Sequence, residues 1–564
     1  MPVISDGIFF GVTGAPPPTP SERSWTSRAI VLVLVLGALY RLVPFFRNPS
    51  LIADDAMLAL NVATRSFGEL LRPLSLEQTA PPAFLWVLKT LTLLLGVNEF
   101  ALRALPLVAG LVLPYAVWRL ATRVLPNPRA AGPGSATPGG ALLAAALAAS
   151  SPIILLYSIT AKPYVVDALA TVIVLQCALT VLDHPDESGG WWRLLGVGAG
   201  ALLFSTPAVF VLAGTIFAVA LCRPRWGWLV VAAGVWGAVF AAIYFPITRP
   251  ESATPYMRSF WAARFIPPST WSDPGTVWNV VKRLPAGAFL LARGTSEPTL
   301  LLWALGALGV WRLVRHRRDV ALLMVAPIGV ILVAASLSLY PISPRVDLFA
   351  APIMVLLFGG ALDWTEDFGR RANAGAWTLA VVFVAGLAWL GVRTDFWAPG
   401  LRPITRAALG APSVYIYSAA IPAWTLYSTD WAHPDMARVR EILSTQEANG
   451  EAFHNALGRG RALSDTEGVG LVVHAGGRRE LLGLAPGIQY REGAMFSQAA
   501  PDPGWASHEA RRIRGAGPAV WIVVAPTNSP VVRELLDTLK GLGAGATAVR
   551  TDHQAALYQL QFKP

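Results

Sequence analysis

Long apolar segments recur along the first 400 residues of the chain, and shorter apolar runs that alternate with polar residues follow them. Between residues 28 and 393, many runs approach the roughly 20 residues that an α-helix needs to cross a bilayer. They predict eleven membrane helices, at 28–46, 103–119, 139–157, 165–182, 191–205, 207–222, 226–246, 299–314, 320–339, 346–365 and 375–393. A shorter apolar run, 82–96, is a twelfth candidate.

The composition agrees with a polytopic membrane protein. Hydrophobic residues make up 54% of the chain and charged residues only 14%, whereas a soluble protein has roughly a quarter charged residues. The net charge of +11 comes with arginines that gather in short loops, which is typical of membrane orientation, so no nucleic-acid partner is predicted. The two cysteines, Cys177 and Cys222, lie in apolar runs and indicate neither a disulfide framework nor a metal cluster.

The arginine positions predict which side of the membrane each loop faces. If the N-terminus is cytoplasmic and 82–96 does not cross, the cytoplasmic loops contain Arg119, Arg123, Arg129, Arg193, Arg223, Arg225, Arg312, Arg315, Arg317, Arg318, Arg370 and Arg371. The short outer connections then hold little besides Lys162 and Arg345, which is the positive-inside distribution. We therefore predict that 82–96 is a juxtamembrane or re-entrant helix, starting at Pro81-Pro82 because proline suits a first helical turn.

This orientation defines three regions. Residues 1–27 predict a disordered tail, because they lack the features of a cleaved signal. Residues 28–398 predict the membrane domain, with outer loops at 47–100 and 247–297. Residues 399–564 predict a small extracytoplasmic α/β domain, with strand-like runs at 411–427, 470–476, 519–526 and 556–561 and helical patterns at 435–449 and 529–543. That domain has no phosphate-binding glycine motif, so we expect it to be structural or to help hold an acceptor.

Two adjacent acids, Asp54 and Asp55, follow the first predicted membrane helix in the sequence ADDAMLALNVATRSF. Acids early in a helix complement the helix dipole. Alternatively, one of them is a general base at the mouth of a membrane cavity, because a carboxylate can accept the proton of an attacking hydroxyl. The two interpretations are compatible, since one acid can cap the helix while the other reacts.

A turn between two predicted spans carries a second group of candidates. The sequence LLYSITAKPYVVDAL contains Tyr157, Lys162, Tyr164 and Asp167. Asp167 lies about one turn inside the apolar zone, where an acid is costly and usually functional. The alternative is a Lys162–Asp167 pair that only steadies the turn.

Cations on two further outer loops complete the candidate site. Arg345 lies in SLYPISPRVDLFAAP, and arginine binds phosphate through a planar fork of donors, although it can also snorkel at an interface. The loop 247–297 is too long for a plain connector and mixes aromatic residues with cations that include Arg258 and Arg264. It is either an interfacial aromatic belt or a lid over a sugar phosphate.

The order of these motifs resembles the GT-C superfamily of integral-membrane glycosyltransferases. The acid pair is followed by Gln-x-Ala-Pro-Pro from Gln78, by GVNEFALRALPLVAGL, by Tyr-Ser-x-x-x-Lys-Pro-Tyr from Tyr157, and by Tyr-Pro…Arg ending at Arg345. The chain looks most similar to the bacterial branch related to protein O-mannosyltransferases and aminoarabinose (lipid A) transferases. The resemblance covers roughly residues 28–400.

The resemblance implies an inverting transfer of a sugar from a polyprenyl-phosphate donor to an envelope acceptor, which is a lipid, a glycan or a protein. It implies that Asp54 is the base. Many relatives have Asp-Glu there, and Asp55 replaces the glutamate. Some relatives have a donor-binding lysine where this chain has Thr79-Ala80, so phosphate binding is assigned to Lys162, Arg345 or the 247–297 loop. Asp167 would orient the acceptor or steady Lys162, and the other substrate-binding candidates are Gln78, Tyr157, Tyr164, Arg258 and Arg264.

No cofactor is required by these motifs. Asp54, Asp55 and Asp167 could hold Mg²⁺ or Mn²⁺ through their oxygens, but no His–Cys cluster indicates a metal. The competing functional classes are a transporter or lipid flippase, and a non-catalytic scaffold that presents the outer domain. The expected location is the bacterial inner (plasma) membrane.

Overall fold

The computed structural model describes residues 20–51, 53–125, 139–252, 255–286, 299–364, 370–393, 400–417, 420–437, 439–440, 443, 467–468, 470–474, 483–484, 505–527, 529–552 and 554–563. Helices form nearly all of the described chain up to residue 408. A mixed α/β region follows. The predicted fold class is confirmed, and helix α1 begins at Pro20, inside the stretch expected to be a tail. Residues 1–19 lie outside the described residues.

Every predicted apolar segment is helical, 82–96 included. The helices of this region are α1 Pro20–Arg47, α2 Ala53–Thr64, α3 Pro82–Leu95, α4 Glu99–Val124, α5 Gly139–Ser150, α6 Pro152–Ser158, α7 Tyr164–Asp183, α8 Ser188–Phe204, α9 Ala208–Cys222, α10 Trp226–Ile243, α11 Arg249–Ser252, α12 Pro255–Trp261, α13 Pro274–Val281, α14 Arg283–Ala286, α15 Thr299–His316, α16 Arg318–Ser336, α17 Ala351–Trp364 and α18 Arg370–Arg393.

Fewer of these helices are long and apolar enough to cross a membrane alone than the eleven or twelve expected. Among the described residues, six meet that criterion, and the bent pair α5 and α6 makes a seventh if it counts as one span. Helices α3 and α9 are apolar but shorter, as is the helix at Leu348–Asp363. The chain is thus a multi-pass membrane protein whose bundle combines long spans with shorter helices.

The bend of 54° between α5 and α6 has a local cause. Pro152 begins α6 and lacks the N–H that would bond to the carbonyl four residues earlier. That carbonyl, of Ala148, instead accepts a hydrogen bond of 2.9 Å from Nη2 of Arg41, whose Nη1 donates to Ala149 at 2.8 Å. Arg41 is fully buried, so it satisfies the broken helix end where no water is available. The bend directs the chain into the turn that carries Lys162.

Helix α3 lies along one side of the bundle. Its 14 residues span about 21 Å at 1.5 Å per residue, which is less than the roughly 30 Å of the hydrocarbon core. Nζ of Lys89 donates to the carbonyls of Val62 and Ala63 at 3.0 and 3.2 Å, which ties α3 to the end of α2. This geometry agrees with a helix that stays on the side of the outer loop.

At the end of the bundle away from the acid pair, charged side chains join three helices. Asp183, at the end of α7, pairs with Arg123 of α4 at 3.0 Å and with Arg317 at 2.8 Å. Arg317 precedes α16 and also pairs with Asp319 at 2.9 Å. Arg123 and Arg317 were both expected in cytoplasmic loops, so the structure gathers predicted inner-loop charges at one end.

The C-terminal region contains a five-stranded mixed sheet. Its elements are α19 Leu401–Ala408, β1 Ser413–Tyr417, α20 Ile421–Ser428, β2 Glu467–Gly468, β3 Gly470–His474, β4 Gly483–Leu484, α21 Trp505–Gly515, β5 Ala519–Val524, α22 Pro530–Gly541, β6 Ala544–Asp552 and β7 Ala555–Phe562. The strand order is β3-β1-β5-β7-β6. Only the β1–β5 pair is parallel in this sheet.

Most elements of this region follow the sequence pattern, and one differs. The predicted strands at 470–476, 519–526 and 556–561 are present as β3, β5 and β7, and the predicted helix at 529–543 is α22. The run 411–427 is a strand only up to Tyr417, because Pro422 lies in the first turn of a new helix, α20. The predicted helix at 435–449 lies mostly outside the described residues. Strand β6 and helix α21 were not predicted.

Candidate active site at one end of the bundle

The acid pair lies in the first turn of α2, where the two carboxylates have different surroundings. Asp54 and Asp55 both follow the start of α2 at Ala53. The side chain of Asp54 keeps 17% of its surface exposed, whereas Asp55 is 1% exposed. Asp54 is therefore the acid that a ligand can reach.

Two cations from distant loops meet the carboxylate of Asp54. Nζ of Lys162 lies 3.0 Å from Oδ1, and Nη1 of Arg345 lies 3.5 Å from Oδ2. Lys162 is almost fully buried, and Arg345 is about a quarter exposed. The three residues predicted to share one side of the membrane are thus in direct contact.

Gln78 holds Lys162 from a second direction. Its Oε1 accepts a hydrogen bond of 2.6 Å from Nζ of Lys162, and its Nε2 donates to the carbonyl of Leu76 at 3.1 Å. Leu76 and Glu77 have positive φ angles of 63° and 54°, a conformation that is uncommon for residues other than glycine. Strained backbone of this kind is often found at functional sites, and here it aims Gln78 at the buried ammonium group.

The two acids also differ in acidity. Burial alone would raise the pKa of Asp54, but the charges of Lys162 and Arg345 outweigh it and hold that pKa below its ordinary value. Burial raises the pKa of Asp55 to about 6, against the opposing charges of Lys162 and Arg103. Oδ1 of Asp55 has no hydrogen-bond partner among the described residues. Asp54 is therefore the better ionised of the pair.

The aromatic members of the turn pack against each other beside these charges. The rings of Tyr157 and Tyr164 are 4.8 Å apart in an edge-to-face arrangement. Both tyrosines are close enough to Arg345 and Asp54 for electrostatic interaction, and Tyr157 is also close enough to Asp55. They form an aromatic wall of the candidate site.

Asp167 does not form the pair with Lys162 that was considered from the sequence. It lies in the first turn of α7, buried and near Ser205 at the end of α8. Its Oδ1 has no hydrogen-bond partner among the described residues. Lys162 bonds to Asp54 and Gln78 instead, because the turn before α7 points its side chain toward α2.

The long outer loop reaches Arg345 through aromatic residues. The guanidinium of Arg345 lies 5.5 Å from the ring centre of Phe260 and 5.1 Å from that of Trp261. The carbonyl of Arg264 accepts a hydrogen bond of 2.9 Å from the backbone of Ile342. Arg258 is exposed on α12, and no bond from its side chain to the site is seen within the described ranges. The contacts of Arg345 that the structure shows in this loop are with Phe260 and Trp261.

Two buried charged residues near the site were not predicted as site residues. Arg103 of α4 lies beside Asp55 and is 3% exposed. Asp347, two residues after Arg345, is 4% exposed, and burial raises its pKa well above the ordinary range. Neither oxygen of Asp347 has a hydrogen-bond partner in the described part of the chain. Its sequence position beside Arg345 was the only available signal.

The carboxylates of the site are not arranged as a metal centre. Within the residues that the structure describes, no group of three or more His, Cys, Asp or Glu side chains is placed to hold a metal ion. The oxygens of Asp54 face two cationic groups, and Asp167 lies apart beside Ser205.

A comparison with known protein families gives a match for part of the membrane domain. Residues 79–248 match the family described as dolichyl-phosphate-mannose-protein mannosyltransferase. The resemblance to the protein mannosyltransferase branch is therefore confirmed for that segment. It includes Lys162 and Asp167, whereas Asp54 and Arg345 lie outside it. No curated protein matches the chain.

Solved structures to which the chain is similar over most of its length include the following two. ArnT from Cupriavidus metallidurans bound to undecaprenyl phosphate is 14% identical, with a TM-score of 0.46 over 95% of this chain and 98% of that chain. Archaeoglobus fulgidus AglB, an archaeal oligosaccharyltransferase in complex with an inhibitory peptide and a dolichol-phosphate, is 12% identical, with a TM-score of 0.44 over 96% and 74% of the two chains.

Proposed function

We propose that this protein transfers a sugar from a polyprenyl-phosphate donor to an envelope acceptor on the outer face of the bacterial cell membrane. The observation that carries the proposal is the triad of Asp54, Lys162 and Arg345, in which one accessible carboxylate faces two cations. A glycosyl phosphate needs both parts, because a base must accept the acceptor's proton and cations must stabilise the leaving phosphate.

The cations are suited to the charge that develops in the reaction. As the bond from the sugar C1 to the phosphate oxygen breaks, its electron pair moves to the phosphate, which leaves as an anion. Fixed positive groups in a poorly hydrated site stabilise such charge strongly. Lys162 is held by Gln78 and Arg345 by the rings of Phe260 and Trp261, so both are oriented before the donor arrives.

Asp54 then acts as the single base. Its ionised oxygen accepts the proton of the acceptor hydroxyl while the acceptor oxygen bonds to C1 from the face opposite the phosphate, which inverts the configuration. No second acid is needed, because the phosphate departs without protonation. In the donor-free protein Asp54 pairs with both Lys162 and Arg345, and the donor phosphate pairs with these two cations when it binds.

An apolar recess next to α3 is the proposed place of the isoprenoid part of the donor. A cavity of about 360 Å³ opens beside α3 and the end of α10, and its lining includes Pro82, Trp86, Leu203 and Ile247. Pro82 is four residues after Gln78, which contacts Lys162. In this proposal the lipid tail lies along these apolar side chains, with its phosphate directed toward Lys162 and Arg345.

The test is transfer of label from a radiolabelled polyprenyl-phosphate sugar in membranes that contain either the unaltered chain or the Asp54→Asn variant. We expect the variant to transfer sugar at least about 100-fold more slowly, the scale of lost general-base catalysis, while it still inserts and folds. Near-normal transfer by Asp54→Asn would remove that residue from the mechanism. Movement of the labelled lipid without incorporation of sugar would support a transporter instead.

A further inference from the structure

The short segment between α1 and α2, residues 48–51, is held by side chains that are distant in sequence. The backbone N–H of Leu51 donates a 2.7 Å hydrogen bond to the hydroxyl of Tyr427 in α20. Nη2 of Arg402 in α19 donates to the carbonyl of Asn48 at 2.7 Å, and its backbone N–H donates to Oγ of Ser50 at 3.2 Å. Side chains of the C-terminal region thus hold the chain just before the acid pair.

A buried glutamate at the start of α4 joins these contacts. Oε1 of Glu99 accepts hydrogen bonds from Nη1 of Arg402 at 2.6 Å and from the hydroxyl of Tyr427 at 2.9 Å. Glu99 is 6% exposed, so both bonds are shielded from water and charge-assisted. The Tyr427 hydroxyl accepts from Leu51 and donates to Glu99, which fixes its orientation.

Arg103, one turn further along α4, holds the same segment from the other side. Its Nη1 donates to the carbonyl of Pro49 at 2.7 Å, and its Nη2 donates to that of Ser50 at 3.1 Å. Asn48 has a positive φ of 49° just after α1 ends, a conformation that asparagine tolerates better than most residues. The residues after it, Pro49 to Leu51, are then held by bonds from α4, α19 and α20.

We infer that Tyr427, Arg402 and Glu99 are positioning residues for the transfer reaction, which set the place of Asp54 by clamping residues 48–51. The inference rests on the proposed function and assigns a catalytic purpose to the C-terminal region. Leu51 is three residues before Asp54, so a shift of this segment moves the start of α2. A misplacement of about 1 Å can slow an enzyme roughly 100-fold.

The test compares two tyrosine-to-phenylalanine variants of the full chain. Tyr427→Phe removes the hydroxyl that bonds to Leu51 and Glu99. Tyr415→Phe is the matched control, because the Tyr415 hydroxyl also donates to a buried glutamate of the same region, Glu509, at 2.7 Å, but makes no described contact with residues 48–51. We expect Tyr427→Phe to lower kcat roughly 10- to 100-fold with the donor KM little changed, and Tyr415→Phe to keep kcat within about twofold.

Hydrogen–deuterium exchange supplies a second measurement that does not depend on activity. The amides of residues 48–56 should exchange faster in Tyr427→Phe than in the unaltered protein, because Leu51 loses its acceptor, whereas Tyr415→Phe should leave them unchanged. Arg402→Ala, which removes the bonds to Asn48 and Glu99, should also lower kcat and speed exchange. It is the test variant if Tyr427→Phe does not fold.

Three results would overturn the inference: an unchanged kcat in Tyr427→Phe, an equal loss of kcat in both tyrosine variants, or faster exchange without any loss of transfer. Failure of the proposed function gives a different result. The unaltered protein would then transfer no sugar, while the exchange rates of residues 48–56 would still differ between the unaltered protein and Tyr427→Phe.

Discussion

At the scale of single residues, adjacent carboxylates behave differently because their side chains leave the helix in different directions. Asp54 faces two cations and retains some exposure, so it stays ionised. Asp55 points into the protein, where burial favours its protonated form. The sequence identified the pair, and the family resemblance assigned the base to Asp54. It could not give the difference in acidity, because that difference arises from Lys162, Arg345 and Arg103.

The pH dependence of transfer separates the two acids. A base must be deprotonated, so activity that depends on Asp54 should persist well below pH 6, because the pKa of Asp54 lies below its ordinary value. If Asp55 were the essential base, kcat/KM would fall about tenfold per pH unit below its pKa of about 6. We expect kcat/KM to be nearly flat between pH 7 and roughly pH 5. An acidic limb near pH 6 that disappears in Asp55→Asn would contradict the assignment to Asp54.

Sequence motifs identified some residues of the site and missed others. Gln78, Lys162 and Arg345 were all proposed from motifs, and the structure brings them to Asp54. Glu99 and Arg402 carry equally strong contacts but were not proposed. An isolated acid or arginine near a helix start has no distinctive spacing, so its partner is visible only in three dimensions.

At the scale of elements, close helix packing depends on glycine positions, which have no side chain. Gly309 of α15 lies directly against the backbone of Leu357 in α17, so an added Cβ would collide with the Leu357 carbonyl. Small residues allow membrane helices to approach in this way. The apolar pattern predicted both helices, but it does not specify which face of one contacts the other.

Replacement of Gly309 tests this packing. Gly309→Ala should lower the thermal unfolding midpoint in detergent, because the two backbones must separate at a cost of about 1–3 kcal/mol. Gly329→Ala is the matched control, since an added Cβ at Gly329 of α16 meets no atom within 4 Å. Its midpoint should stay the same or rise slightly. Equal midpoints for the two variants would show that α15 and α17 are not in close contact.

At the scale of the whole molecule, charge divides the bundle into two ends. One end holds the candidate site, and the other holds Asp183 with Arg123 and Arg317. The arginine-rich end should face the cytoplasm because positively charged loops are retained there. The candidate site would then open to the outer surface.

Cysteine labelling of intact cells tests that orientation. In a background without Cys177 and Cys222, Ser269→Cys lies in the outer loop and Ser188→Cys at the opposite end, and both serines are exposed. We expect a membrane-impermeant maleimide to label Ser269→Cys in intact cells and Ser188→Cys only after the membrane is opened. The reverse pattern would place the candidate site in the cytoplasm and end the proposal of transfer on the outer face.

The sequence by itself determined the helical class, the location of the apolar helices that the structure describes and the motifs that carry chemistry. These are local properties, since the length and period of an apolar run decide its structure regardless of distant residues. Whether a short apolar helix crosses alone is not a local property, because a run of about 15 residues has the same apolar pattern whether it crosses or packs within the bundle.

Only the tertiary structure decided which charges meet. Lys162 and Asp54 are separated by 108 residues and Leu51 and Tyr427 by 376, and nothing in either local sequence specifies its partner. Burial then sets the acidity of each carboxylate, because the cost of a charge depends on the groups that the fold places around it. The fold also decides that Lys162 pairs with Asp54 and not with Asp167, which is nearer in sequence, because the turn before α7 points the lysine side chain toward α2.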